Sequence, residues 1–378
     1  MPDPVKIFNE YLSYLSIENI EPMINILEQF ALSKQNDNIS YSAIALFFSC
    51  ANIAEKFQKL STDQVDYYKQ KWSDIFNKLS NLNKDDRYDI RKSGINVFAQ
   101  IFEAKIKSLS ELNIIEQLTT GLFFDILSKN YHIYEDIRAK EENKEWEDTI
   151  IISLQGVGKV FRSYMIENKE NKVIVYEQLM KILFFISQNS TPEIKIIIIK
   201  ILIEIPSYED TVFVSHFNLI INILDEISNY LITDTFIKKY STFNIGSKLI
   251  LFVLDGIKHF FVLSKENKSL LSNDEHTQKM FLIIGKLMNS SKFTEGNFTA
   301  TNPSRLLRNE KEIFDYIDEL IKITNDETCF KQIYKFLSSF IKKDENDKHA
   351  EILSHRALES MESIFNNNKL NLEFKVNK

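Results

Sequence analysis

Between Asp85 and Ile106 the chain reads DDRYDIRKSGINVFAQIFEAKI, and no other stretch limits the fold as much. Apolar residues at Ile90, Val97/Phe98, Ile101/Phe102 and Ile106, with Gly94 among them, recur at steps of three and four, which is one face of an α-helix. Asp85 and Asp86 stand in front, and either carboxylate can cap the first free amides. Arg87 and Arg91 follow, one turn apart. Gly94 falls at mid-helix, where glycine costs about 1 kcal/mol relative to alanine. That cost is offset where the backbone of a neighbouring helix comes very close. Taken alone, the stretch fits either a tightly crossed helix or an ordinary amphipathic one with a chance charge pattern.

The rest of the chain repeats the same periodicity. The 378 residues include only 8 Gly and 6 Pro, too few for the turns of an all-β fold or the phosphate loops of a nucleotide-binding α/β fold. Ile, Phe and Tyr are abundant, which inflates β-propensity everywhere, so periodicity is the better guide. It predicts two short helices over 4–33, with Pro22 in the first turn of the second, then helices over 40–60, 62–80, 85–106 and 111–128. Residues 129–145, polar and densely charged, read as an exposed loop. Helices resume over 146–165, 173–188, 192–205, 210–232 and 242–264. The run IIIIKILIEI has strand propensity, but nothing else in the chain could pair with it, so a buried helix is expected there. Pro206 closes that helix. A second polar break over 291–310 precedes closing helices near 303–323, 326–342 and 347–366, and residues 367–378 read as a loose tail.

Helices of this length in pairs about every 40 residues match the ~40–47-residue repeat of HEAT and armadillo proteins. The expected fold is all-α, a right-handed HEAT/armadillo-like α-α superhelix of about seven to nine hairpins. The expected domains are helical repeats over 1–300, closing repeats over 301–366, and the tail.

Composition narrows the function classes. With 44% hydrophobic and 26% charged residues the chain can build a core. A net charge of −7 without a basic block argues against nucleic acid as a partner. Cys50 and Cys329 lack metal spacing and point to a reducing compartment. The N-terminus has no secretory or transit character, and no apolar run approaches the ~20 residues of a membrane span. Six scattered histidines form no ligand set. Gly156–Val157–Gly158–Lys159 lacks the spacing of a phosphate loop, and the carboxylates of EDIRAKEENKEWED have no apolar surroundings to shift a pKa. No catalytic, cofactor-binding or metal-binding residues are therefore expected, and no cofactor. The chain reads as a non-enzyme.

Two segments carry a resemblance. In the first, Asp85, Arg87, Ile90, Arg91, Lys92 and Ser93 follow the pattern D-x-R-x-x-[VI]-R-[KN]-[SG]. In the second, Trp146, Thr149, Leu154, Gly156, Val157, Lys159, Val160 and Phe161 follow W-x-x-T-x-x-x-x-L-x-G-[VI]-x-[KR]-[VL]-F. In this order they resemble the monensin-sensitivity (MON) family of endosome and Golgi trafficking scaffolds, related to the helical repeats downstream of the exchange domain in large Arf guanine-nucleotide exchange factors. The resemblance covers about residues 60–205. It implies a non-catalytic scaffold in vesicle transport, cytoplasmic and peripheral at the Golgi, trans-Golgi network and endosomes. The implied partners are a Dopey-type protein, an aminophospholipid flippase and an Arf-like GTPase. Family members are several times longer, so the chain is expected to be a C-terminal portion or a truncated, divergent member. The alternatives are the regulatory region of a true exchange factor and a generic HEAT-type adaptor. Independently of the family, Trp146, Thr149/Ile150, Leu154, Val157, Val160/Phe161 and Tyr164 form one helical stripe. Trp146 is expected to anchor the preceding loop, and Gly94 and Gly156 to admit close neighbours. Lys159 and Arg162 are expected to face outward.

Overall fold

A computed structural model of the chain describes residue 14 and residues 16–59, 64–139, 143–168, 172–204, 210–240, 244–266, 274–294, 306–324, 327–341 and 347–366. Among the described residues the chain is helical and contains no strand. The helices are α1 (Ile20–Leu32), α2 (Asp37–Gln58), α3 (Val65–Asn81), α4 (Tyr88–Glu111), α5 (Phe124–Arg138), α6 (Lys144–Glu167), α7 (Lys172–Asn189), α8 (Pro192–Glu204), α9 (Asp210–Leu231), α10 (Asp234–Tyr240), α11 (Asn244–Glu266), α12 (Asp274–Thr294), α13 (Arg308–Ile323), α14 (Glu327–Ser338) and α15 (Lys348–Asn366). A π-helical segment, Gln117–Phe123, leads directly into α5. The chain divides into two compact units, Met1–Ile182 and Leu183–Lys378.

In the first unit, α2, α4 and α6 lie side by side in one layer, with α1, α3 and the π segment in the other. Each helix touches its hairpin partner and the next helix of its own layer, which is the packing of HEAT and armadillo repeats. A line of aromatic rings joins the layers. Trp72 stacks on Phe76 with centroids 6.3 Å apart, Phe76 meets Phe98 at 4.6 Å, and Phe98 meets Phe123 at 4.6 Å. In the second unit, α8, α11, α13 and α15 form one layer and α9, α12 and α14 the other. The isoleucine run is helical, as expected. α8 buries Ile194, Ile198, Ile199, Ile201 and Leu202, and Lys195 as well, so the helix is enclosed on nearly all sides.

The structure corrects the sequence reading in three places. Residues 129–138, expected as a loop, continue α5. The charges hid an inward face on which Tyr131 and Tyr134 are buried and Asn130 donates to Ser153 Oγ at 3.1 Å. The helices α10 and α12 occupy segments in which no helix was expected. Asp85 and Asp86 do not cap α4, whose first flanking residue is Arg87 with no side-chain cap. The expected start of the closing helices near 303, Pro206, and the tail 367–378 lie outside the described residues.

Candidate functional site

The two motif helices, α4 and α6, are neighbours in one layer of the first unit, and their signature residues meet. Arg91 is fully buried. Its Nη1 donates to the backbone carbonyls of Asp85 (2.9 Å) and Asp86 (2.7 Å). Its Nε donates to Thr149 Oγ1 at 3.1 Å, and the guanidinium lies 4.1 Å from the centroid of the Trp146 ring. A planar guanidinium can hydrogen-bond at its edge while stacking on an aromatic face, which lysine cannot do. Burial pulls the Arg91 guanidinium below its usual pKa, with the charges of Glu145, Asp85 and Asp86 acting in the opposite direction. Its Nη2 is buried without a partner. Thr149 in turn donates to the carbonyl of Glu145 at 2.7 Å. Asn143 caps α6 by accepting from the amides of Glu145 (3.1 Å) and Trp146 (3.3 Å), which fixes the indole at the helix start.

Asp85 and Arg87 form a second knot beside the first. Asp85 Oδ1 accepts from the Arg87 amide and Nε, each at 2.9 Å, and its Oδ2 accepts from Nη2 at 2.9 Å. Burial pushes the Asp85 carboxyl up, but the hydrogen bonds from Arg87 outweigh it and hold the group below its ordinary range. Arg87 also donates to the carbonyls of Ser33 and Ala31 and to Asp37, closing the α1–α2 turn onto the start of α4. Arg87 and Arg91 thus hold neighbouring chain turns in opposite directions, one toward α1–α2 and the other toward α6.

The glycines sit where helices cross. A Cβ on Gly94 would lie 3.0 Å from Leu82 Cβ and 3.4 Å from the Leu79 carbonyl. One on Gly156 would lie 2.8 Å from Phe123 Cζ and 3.2 Å from Ile95 Cγ2. Ile90, Leu154, Val157 and Phe161 are fully buried beneath them. Lys159 is exposed, but Arg162 is only half-exposed and is already engaged. The motif residues therefore come together as a fastening between two helices. Apart from Arg91 Nη2, the guanidinium and carboxylate groups of the cluster hold backbone or one another.

Sequence reasoning missed the residues that tie adjacent hairpins from outside. Glu21–Lys71 (2.7 Å), Glu28–Lys78 (2.7 Å) and Glu55–Lys105 (2.6 Å) each join residues 50 apart, as does Asp37–Arg87. The signal was present in the sequence as acidic and basic residues at that fixed offset. Among the described residues no group of three or more His, Cys, Asp or Glu could hold a metal ion. No described helix is long and apolar enough to cross a membrane.

No model of a known protein family matches the sequence. The chain is similar to Monensin-resistant homolog 2 of Caenorhabditis elegans, 20% identical over 167 residues, a match that covers 41% of this chain and 10% of the nematode protein. The chain thus spans about a tenth of that relative's length. This agrees with the resemblance carried by the two motifs. Crystal structures of Kap121p, bound to Nup53p in one case and to RanGTP in the other, align with 94% and 95% of this chain and 35% of theirs, at a TM-score of 0.46 and 14% identity. The fold assignment rests on the chain's own helix pairing.

Proposed function

We propose that the chain is a non-catalytic scaffold in vesicle-mediated transport between endosomes and the Golgi. The observation that carries this reading is the meeting of the two family-like motifs at one joint. Residues matching the D-x-R-x-x-I-R and W-x-x-T patterns, 58 positions apart at Arg91 and Thr149, are hydrogen-bonded partners, so the resemblance describes a three-dimensional unit. The similarity to Monensin-resistant homolog 2 supports the same reading.

In this role the chain is a cytoplasmic protein held peripherally at Golgi, trans-Golgi network and endosomal membranes. It works by being gripped along exposed helix faces. By resemblance its partners are a Dopey-type protein, an aminophospholipid flippase and an Arf-like GTPase. The motif residues act as internal fasteners that keep the binding surfaces in register.

The test is localisation and transport in the cells that make the protein. A fluorescent fusion is expected on membranes carrying Golgi and endosome markers, and loss of the gene is expected to slow return of a recycling cargo to the Golgi. A diffuse fusion together with unchanged cargo return would overturn the reading. Purified chain is expected to leave nucleotide release from an Arf-family GTPase unchanged, and acceleration at catalytic concentrations would remove the non-catalytic part.

A further inference from the structure

In the second unit a groove of about 560 Å³ runs between α12 and α14, with Glu275, Lys279, Phe281 and Leu282 on one wall and Lys335 and Phe336 on the other. Its floor is aromatic, with the rings of Phe281 and Phe336 6.2 Å apart. Its wall carries Leu282, which is 57% exposed. Lys279 Nζ donates to the neutral Asn222 Oδ1 at 2.5 Å. The lining carries two lysines against one glutamate in a chain whose net charge is −7. Gly285 gives an independent indication. It falls on the helix face of Gln278 and Leu282, seven and three residues along, and a Cβ there would meet nothing within 4 Å. Glycine at mid-helix weakens the helix. At Gly94 and Gly156 a crowded crossing explains it, whereas at Gly285 none of the described residues does. Small residues let a second backbone approach a helix surface, so the space over Gly285 is suited to an incoming helix.

We infer that this groove docks a short amphipathic helix from a partner protein, its apolar face on Phe281, Leu282 and Phe336 and its acidic flank on Lys279 and Lys335. From Glu275 to Leu282 the groove wall is about 10 Å long at 1.5 Å per residue, which takes roughly two turns with anchors at i, i+3/i+4 and i+7. The inference rests on the scaffold reading and gives one of its partners a chemistry. The probe is a fluorescein-labelled 14-residue helix with Leu and Phe at those anchors and Glu between them, measured by anisotropy against the full chain. Its Lys-for-Glu counterpart, a scrambled acidic peptide and phosphatidylserine vesicles serve as comparisons. The acidic helix is expected to bind at least tenfold more tightly than the basic and scrambled peptides. The pair Lys279→Glu with Lys335→Glu is expected to cost at least tenfold, and Leu282→Asp to abolish binding without lowering the melting temperature. Gly285→Leu is expected to weaken binding, while Gly285→Ala leaves melting unchanged or raised. Equal binding of the acidic and basic helices, undiminished binding by the lysine variants, or variants that lose only vesicle binding would overturn the assignment. Failure here with the fusion still on Golgi membranes removes the groove and leaves the trafficking role. Success with a diffuse fusion does the reverse.

Discussion

The two compact units build the same kind of layered hairpin array with different bookkeeping of register. In the first, four acid–base pairs between successive hairpins share an offset of 50 residues, Glu21–Lys71, Glu28–Lys78, Glu55–Lys105 and Asp37–Arg87, while Lys34–Asp86 spans 52 and Arg91–Thr149 spans 58. In the second, the offsets lengthen to 57–62 for Asn222–Lys279, Asn218–His276, Asp225–Lys286 and Ser247–Asn309. They then shorten to 38–41 for His349–Glu310 and Arg356 with Asp318 and Asp315. The short helix α10, Asp234–Tyr240, lies in sequence between α9 and α11 and so lengthens the three spacings that begin on α9, whereas Ser247 and Asn309 both follow it. Both units also bury a cation against main-chain carbonyls and an aromatic face: Arg91 with Asp85, Asp86 and Trp146, and Lys195 with Ser187 and Tyr230. Both units are thus internally clamped, and the second also contains a groove, with an open glycine one turn beyond it on α12.

The clamp should give the largest effect. Hydrogen bonds to a charged group contribute about 1.5–3 kcal/mol each, and Arg91 serves two carbonyls and one hydroxyl. Arg91→Met keeps much of the volume, removes those bonds, and is expected to destabilise the chain by about 3 kcal/mol in urea unfolding. A loss under about 1 kcal/mol would mean that the joint between the motif helices is ornamental. The glycines come next, and here the units should differ in sign. Gly156→Leu and Gly94→Leu overpack crossings already within 2.8 and 3.0 Å of a Cβ and are each expected to cost about 2–3 kcal/mol. Gly285→Ala meets open space and is expected to gain up to about 1 kcal/mol from helix propensity alone. Matching signs in melting experiments would erase the contrast drawn between the units.

A smaller effect follows pH. Burial raises the Glu55 carboxyl, but hydrogen bonds from Lys105, Lys59 and Ser108 overcome it and bring the group to about 2. Its folded pKa is depressed, so its contribution is complete above the ordinary value of 4.5 and is lost as pH falls from there toward about 2. After allowance for solvent screening this amounts to about 1–2 kcal/mol. Glu55→Gln is expected to remove that part of the acid sensitivity while leaving the unfolding midpoint's remaining pH dependence in place. A variant as acid-sensitive as the parent between pH 4.5 and 2 would count against the Lys105 clamp.

The fold class was legible because it depends on a property every helix repeats. The three-and-four spacing survives a biased composition, and even the isoleucine run yielded to the absence of a partner strand. Gly94 and Gly156 were legible for a related reason, since a residue that weakens a helix demands a local explanation. Asp85 was misjudged because cap chemistry and ion pairing use the same carboxylate, and Arg87 two residues later offered it three bonds. Residues 129–138 were misjudged because charge on one face of α5 concealed Tyr131 and Tyr134 on the other. The groove was illegible altogether, because its two walls are separate helices about fifty residues apart and one of them, α12, was not expected.

The smallest effect asks whether ion pairs of similar length do equal work in the two units. Glu28–Lys78 and Asp225–Lys286 are both partly buried, at 2.7 and 2.5 Å. In the first unit the carboxylate is clamped a second time, because Glu28 Oε1 accepts from Asn81 Nδ2 at 2.8 Å while Oε2 takes the lysine. The second bond fixes the side chain before the ion pair forms, so less rotamer freedom is lost in making it. Double-mutant cycles to alanine are expected to give a coupling of about 1 kcal/mol for Glu28–Lys78 and roughly half that for Asp225–Lys286. Adding Asn81→Ala should bring the first value down to the second. If Asn81→Ala leaves the coupling untouched, the 50-residue offset these four pairs share is held by packing, and its polar contacts follow from the register without setting it.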